Sequence, residues 1–298
     1  EALWGLKGWE QLQELDGGVR SGAESWRHPY GYYYADQEPN SEMPYWAYAR
    51  DKDVSGRSAA LFAQASRLVA PYSATRATQL RDEAIKAYDY AVAYNAGPGA
   101  RIYGASELFR LTNDNRYKTD FETIFVNSYL ADWDGNGPDV GDGIKWLLTR
   151  ALGGSEWAIG SNFALGDYFT GYVQTAGAST TIVTIIKDEI SRGAVSSLSV
   201  SSMESSYAHR NSHNSTYDWG YASAPVNNFI SLVFPHMQIG GINATQRQDF
   251  IDSMSLNADH MFGGNPAGEV WTTGFGSRSP HEPLHLASLT FIKDRNLP

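Results

Sequence analysis

Glycine, aromatic and cationic residues are concentrated in residues 257–286. A helical pattern ends at Gly263 and Gly264, and the Asn265-Pro266 pair prevents the helix from continuing. Glycine lets the backbone approach a ligand closely, and aromatic rings offer flat apolar faces with polar rims. The composition predicts a site for a polyhydroxylated ligand such as a sugar, and a plain connection between two helices remains the alternative. The side chains that would serve such a site are Trp271, Phe275, Arg278, His281 and His285.

A second group of side chains with ligand-binding chemistry lies at 132–142, in D-W-D-G-N-G-P-D-V-G-D. Its D-x-D-x-N-G order places oxygen ligands at alternate positions before a glycine, as in the first half of a calcium-binding loop. The glutamate that closes such loops is missing because Gly143 stands in its place. The pattern therefore predicts either a structural calcium site or a polar turn. The candidate ligands are Asp132, Asp134, Asn136 and Asp139, with Asp142 as an alternative to the last.

These groups belong to a chain of 298 residues, which is long enough for one large domain with a substantial core. A hydrophobic content of 42% and an aromatic content of 13% indicate a globular protein. The formal net charge of -10 disfavours nucleic acid or an anionic membrane surface as a partner. Because the sequence has no cysteine, disulfides, thiolate metal sites and cysteine nucleophiles are excluded.

Helical periodicity predicts the elements that would position these side chains. Apolar residues at helical spacing predict a first helix over Leu3 to Leu15, which Asp16 and the following glycines stop. The last predicted helix begins at a capping box of Thr245 and Gln248. Other helices are predicted over 59–68, 76–95, 100–111, 117–130 and within 144–192, and loops over 29–53 and 196–206. Since no region alternates with period two over several strands, we predict an all-α fold in a single domain, 1–298.

Several motifs resemble glycoside hydrolase family 9, the cellulase family. The G-G-N-P of 263–266 and the T-G-F-G of 273–276 are similar to the family's L-G-x-N-P turn and Y-V-T-G-x-G run. The D-G-G-V of 16–19, the A-Q-A-S-R of 63–67 and, in part, the Y-D-W-G of 217–220 are similar to other motifs of the family. The resemblance implies an (α/α)6 barrel whose loops line a cleft for β-1,4-linked glucan. It also implies a secreted protein that requires no cofactor.

The resemblance further implies which residues would face the glucan. Aromatic rings would stack on sugars, and polar side chains would hydrogen-bond hydroxyl groups. The match is incomplete in the last motif, where Leu284-His285-Leu286 stands in place of the family's His-His-Arg. The implied residues are Trp26, His28, Tyr30, Trp219, Trp271, Arg278 and His285.

The family resemblance implies hydrolysis with inversion, in which one carboxylic acid protonates the leaving oxygen and an opposing carboxylate activates water. The family's base lies in a D-A-G-D motif before D-G-G-V, and its acid lies well beyond the histidine-arginine run. Neither motif occurs within residues 1–298, and Glu269 does not stand at the position of the family acid. The catalytic residues are therefore unknown from this sequence, and we expect them outside it.

Three hypotheses remain open for the function. The chain is part of a longer family 9-like hydrolase, or it is a relative of the same fold that binds glycan or has a structural role without cutting. Alternatively, it is another all-α enzyme that uses the loop from Asp36 to Glu42. In the first two, the expected partner is a polysaccharide or an oligosaccharide.

Overall fold

Helices make up most of the computed structural model, which describes residues 2–25, 45–127, 164–201, 234–239, 242–265, 268–270 and 275–279. None of the helices in these ranges is long and apolar enough to span a bilayer. In chain order the helices are α1 Ala2–Gln11, α2 Lys52–Val69, α3 Ala74–Ala93, α4 Pro98–Thr112, α5 Asn115–Phe125, α6 Ala164–Val173, α7 Thr180–Ser201, α8 Phe234–Ile239 and α9 Ala244–Met261. The strands are β1 Val19–Arg20, β2 Ala23–Ser25, β3 Tyr45–Ala47 and β4 Arg50–Asp51.

Polar side chains cap the starts of α2, α3 and α5. The Asp51 carboxylate at the start of α2 accepts hydrogen bonds from the backbone N–H groups of Asp53, at 2.7 Å, and Val54, at 2.9 Å. Ser73 and Asp114 cap α3 and α5 in the same way. Each such cap satisfies an amide that the helix leaves unpaired and stabilises the helix by about 1 kcal/mol. The caps therefore explain where these helices begin.

The predicted start of α9 is wrong by two residues. Asn243 rather than Thr245 is the capping residue, and its side-chain oxygen accepts from the Gln246 N–H at 2.9 Å. The Gln246 side chain accepts in return from the Asn243 N–H at 3.0 Å. Thr245 and Gln248 have the residue types and spacing of the same motif, so sequence alone does not distinguish the two registers.

The prediction of a loop over 196–206 is wrong for its first part, because α7 continues to Ser201. Ile186, Ile190 and Ala194 recur every four residues and are buried on one face of this helix. The buried face over 186–194 stabilises the helix, and the modest helix propensity of serine does not by itself end one.

Two further local predictions need correction. The predicted loop over 29–53 contains strands β3 and β4, which form separate two-stranded antiparallel sheets with β2 and β1. The first helix ends at Gln11 instead of reaching Leu15, whose side chain is fully exposed. Strands β3 and β4 have three and two residues, and they are too short for a period-two pattern to reveal them.

The core of the described helices is built on the close approach of α2 to α4. A Cβ atom placed on Gly56 of α2 would lie 3.0 Å from the carbonyl oxygen of Ala100 on α4. A Cβ atom on Gly104 would lie 2.9 Å from the Gly56 carbonyl oxygen and 2.7 Å from the ring of Tyr88 on α3. Since atoms at such distances overlap, three helices can pack this closely only with glycine at these positions.

A buried ion pair also joins α2 and α4. Glu107 of α4 is almost completely buried, and Arg67 of α2 contacts its carboxylate. The neighbouring Ser106 hydroxyl accepts a hydrogen bond from the Tyr172 N–H at 2.8 Å and so attaches α6 to α4. Removing one partner from a buried ion pair costs about 3 to 5 kcal/mol, because the other charge is left without compensation.

Carboxyl groups from α1 and α3 meet where these two helices approach each other. The Glu10 carboxylate of α1 lies close to the Glu83 carboxyl group of α3, and Arg76 contacts Glu10. Burial, together with the negative charge of Glu10, raises the pKa of Glu83 to about 7. Glu83 therefore keeps its proton up to about neutral pH, and its ionisation above that pH places a second negative charge beside Glu10.

We predict that Gly104→Ala destabilises the protein by about 1 to 3 kcal/mol, because the added methyl group overlaps Tyr88 and the α2 backbone. Chemical denaturation at neutral pH would measure the loss. The control is Gly5→Ala on α1, where an added Cβ meets no atom within 4 Å. That control should be neutral or stabilise by about 0.5 to 1 kcal/mol, since alanine is the better helix former. Equal effects of the two substitutions would contradict the close packing of α2 on α4.

We also predict that the parent protein loses folding stability as pH rises and that Glu83→Gln abolishes this loss. The pKa of Glu83 is higher in the folded than in the unfolded protein, so the folded state holds the proton more tightly and loses stability as pH rises from about 4.5 to about 7. At pH 8 the variant should be more stable than the parent by roughly 1 to 2 kcal/mol, since water screens a half-buried group. At pH 4 the two proteins should unfold alike. Parallel stability curves over this pH range would contradict the prediction.

Candidate functional site

The glycine-rich segment predicted to bind a ligand begins where α9 ends. The Phe262 N–H closes the helix by donating to the carbonyl oxygens of Ala258, at 2.9 Å, and Asp259, at 3.2 Å. The Gly264 N–H then donates to the same Asp259 carbonyl at 2.6 Å. These hydrogen bonds satisfy carbonyl groups at the end of the helix and turn the chain away from the helix axis.

A tight turn around Asn265 shapes the next part of this segment. The Asn265 amide donates to the Glu269 carbonyl oxygen at 2.7 Å, and the Asn265 carbonyl accepts from the Gly268 N–H at 2.9 Å. Gly268 has a φ angle of +62°, a conformation that costs residues with a side chain free energy. The turn is therefore held by its own hydrogen bonds and by the positive φ angle that glycine permits at position 268.

The chain then returns and packs on the end of α9. The Val270 N–H donates to the Arg278 carbonyl at 2.7 Å, and Val270 forms an antiparallel bridge with Phe262. The rings of Phe262 and Phe275 lie 5.4 Å apart between centroids, and each side chain is more than half exposed. The segment thus presents two aromatic rings to solvent on a closed backbone frame.

Arg278 follows Phe275 by three residues in the sequence, and its ion pair with Glu269 orients the guanidinium group. Its Nη2 atom is 2.8 Å from Glu269 Oε1, and the two side chains are 62% and 42% exposed. A Cβ atom on Gly268 would lie 3.2 Å from Arg278 Nη1, so the guanidinium group also packs against the turn. A guanidinium group has five N–H donors, and one ion pair leaves several of them for hydroxyl groups of a ligand.

This arrangement has the chemistry of a binding surface. Exposed aromatic rings bind the apolar faces of a sugar, and an oriented guanidinium group donates hydrogen bonds to its hydroxyl groups. Inverting hydrolysis requires two carboxyl groups that face each other across the bond to be cut, about 6.5 to 9.5 Å apart. Glu269 forms an ion pair with Arg278.

Arg278 is the one predicted glucan-facing residue that lies within the described ranges, and the structure places it on this exposed loop. Glu269 as its partner and Phe262 as part of the aromatic pair were missed by the sequence analysis. Glu269 is nine residues from Arg278, and local patterns do not specify such a pair. The other predicted residues, Trp26, His28, Tyr30, Trp219, Trp271 and His285, lie outside the described residues, as do Asp36 and Glu42.

The predicted calcium ligands Asp132, Asp134, Asn136 and Asp139 also lie outside the described residues, so the site remains a prediction. Within the described ranges, no group of three or more His, Asp or Glu side chains is arranged to hold a metal ion.

Comparison with known proteins points to one family. The family model described as "Glycosyl hydrolase family 9" matches residues 21–295. A search of curated proteins found no significant match.

Three solved structures are similar to this chain over almost its whole length. The family 9 endoglucanase J30 has a TM-score of 0.71 at 19% identity, over 96% of this chain and 50% of that one. A metagenome-derived family 9 endoglucanase has a TM-score of 0.70 at 21% identity, over 97% and 50%. The structure of AaCel9A in complex with cellobiose-like isofagomine has a TM-score of 0.67 at 18% identity, over 97% and 51%. The chain therefore spans about half the length of these proteins.

These similarities confirm the predicted fold class, which is all-α and of the (α/α) barrel type of family 9. The family model covers far more than half of the 298 residues and includes the glycine-rich segment with Arg278. The chain belongs to glycosyl hydrolase family 9.

Proposed function

We propose that this chain forms part of the glucan-binding cleft of a hydrolase that cleaves β-1,4-linked glucan with inversion. The observation that carries the proposal is the match of the family 9 model over residues 21–295. The similar protein AaCel9A has been solved with a cellobiose-like ligand, which supports a glucan as the substrate class. Since polymeric glucan does not enter cells, the proposal also includes secretion.

In this proposal Arg278 hydrogen-bonds the hydroxyl groups of a bound sugar, and Glu269 holds it in position. The exposed rings of Phe262 and Phe275 provide apolar contact beside it. Trp26, Tyr30, Trp219 and Trp271 are proposed to stack on other sugar rings, with His28 and His285 as further hydrogen-bonding groups. The catalytic acid and base are proposed to lie outside residues 1–298.

A second candidate is a relative that binds glycan without cutting it. One observation favours it: leucines at 284 and 286 stand in place of the family's histidine and arginine. The two functions differ in one measurable product. Because the first candidate places the catalytic groups outside residues 1–298, the test uses the full-length protein. If that protein binds cello-oligosaccharides and releases new reducing ends, hydrolysis is supported, whereas binding without release supports the second candidate. If the protein neither binds nor cuts them, both are wrong.

We predict that Arg278→Ala weakens the binding of cellohexaose about 5- to 30-fold, because a charged donor typically contributes about 1 to 2 kcal/mol when it hydrogen-bonds a ligand. Isothermal titration calorimetry would measure the dissociation constant. Arg81→Ala is the matched control, since Arg81 is also an exposed arginine in an ion pair, with Asp82 on α3. Unchanged affinity in the Arg278 variant would remove this residue from the proposed cleft.

We predict that Glu269→Gln weakens the same binding about 2- to 5-fold, because loss of the ion pair leaves the Arg278 side chain less well oriented. In a protein that already carries Arg278→Ala, the Glu269 substitution should have no further effect. This double-mutant cycle separates a residue that positions Arg278 from one that contacts sugar itself. Additive losses would show that Glu269 acts independently of Arg278.

A further inference from the structure

Two exposed aromatic residues lie on one face of the hairpin formed by β2 and β3. In this antiparallel pair Glu24 lies opposite Trp46 and Ala23 lies opposite Ala47. Tyr48 follows directly, and its N–H donates to the Gly22 carbonyl oxygen at 2.9 Å. Because side chains two residues apart on an extended chain point to the same face, Trp46 and Tyr48 leave the backbone on the same side. Their Cβ atoms are roughly 6.5 to 7 Å apart in such a strand.

The backbone beneath these rings is held from both sides. The Arg20 guanidinium donates to the Tyr48 carbonyl at 2.8 Å and contacts the Glu14 carboxylate at 2.6 Å. The Tyr48 ring lies over Gly22, where an added Cβ would be 3.6 Å from ring atom Cδ2. The rings are therefore held on an ordered backbone before any ligand binds, which lowers the entropy cost of binding.

Both rings nevertheless remain half exposed, Trp46 at 53% and Tyr48 at 50%. Other aromatic residues of the described chain are exposed in a different setting. Trp4 stands on helix α1, and Tyr72 stands in the turn between α2 and α3, at 84% and 88% exposure. Two neighbouring rings on a flat, hydrogen-bonded face form a broader apolar surface than either of these alone.

The surface has the properties of a binding site for an uncharged sugar chain. The apolar faces of pyranose rings stack on indole and phenol rings, while their hydroxyl groups remain in water. The formal net charge of -10 disfavours an anionic polymer as the ligand. The hairpin is also continuous in sequence with the proposed cleft, since β2 ends at Ser25, the residue before Trp26.

We propose that Trp46 and Tyr48 form a glucan-binding platform that engages the sugar chain in addition to the loop that carries Arg278. The platform takes two neighbouring residues of a β-1,4-glucan, and it therefore contributes to the binding of long chains and of cellulose more than to that of short oligosaccharides. This inference rests on the proposed function, because it takes its ligand class from there.

The test compares Trp46→Ala and Tyr48→Ala with the matched controls Trp4→Ala and Tyr72→Ala. Each of the first two variants should bind cellohexaose about 3- to 10-fold more weakly and adsorb less to cellulose, whereas the controls should match the parent. Trp46→Phe and Tyr48→Phe retain a ring and should keep most of the affinity. These conservative variants keep the test decisive if Tyr48→Ala unfolds through loss of the contact with Gly22.

The outcomes separate this inference from the function on which it rests. If the parent binds cellohexaose and Arg278→Ala weakens binding while both platform variants bind normally, the platform proposal is overturned and the proposed function stands. If the platform variants and their controls lose affinity equally, the effect is not specific to the hairpin and the platform proposal is again overturned. If the parent binds no glucan, the proposed function fails and the platform proposal fails with it.

Discussion

The close approach of α2 to α4 is the constraint on which the described helical core depends. Gly56 and Gly104 bring the two backbones to a distance that leaves no space for a side chain between them. Such proximity removes water from the interface, so the charges of Arg67 and Glu107 must compensate each other there. The same region holds α6 through Ser106 and Tyr172. The glycine packing and the ion pair therefore both depend on the contact between α2 and α4, because each is favourable only while these two helices stay together.

The surface elements take their position from this core. The Ser55 hydroxyl in the first turn of α2 accepts a hydrogen bond from the Val19 N–H at 2.8 Å and donates to the Asp51 carbonyl at 2.6 Å. One side chain thus attaches β1 to the start of the helix. Strand β2 follows β1 after two residues, so the hairpin with Trp46 is connected to α2 through a short chain of ordered contacts.

The loop after α9 depends on different forces, because most of it lies at the surface. Hydrogen bonds of Asn265 and the left-handed conformation of Gly268 define its path, and Glu269 orients Arg278. An exposed ion pair contributes only about 0 to 1 kcal/mol to stability, so its consequence here is the direction of the guanidinium group. The Arg278 guanidinium group can donate hydrogen bonds to a neutral polar ligand, while the Glu269 carboxylate is paired with this arginine.

Sequence patterns were informative where the governing forces act locally or where a family motif survives. Apolar periodicity located α3 and α4 to within about two residues, but it missed the first seven residues of α2 and placed the end of α5 five residues too late. The Gly263-Gly264 pair marked the end of α9. The motifs around D-G-G-V and T-G-F-G identified the family and pointed to Arg278. Local patterns were wrong about the register of the α9 cap, where two caps were equivalent, and about residues 196–201, which continue α7.

By itself, then, the sequence determined the helical class and the family. Only the tertiary structure decided that Glu269 orients Arg278, that Glu10 meets Glu83, and that Trp46 and Tyr48 share an exposed face. The physical reason is that these contacts depend on strand register and on the distance between helix backbones. Both are set by packing between segments that are separated in sequence, and no local propensity encodes them.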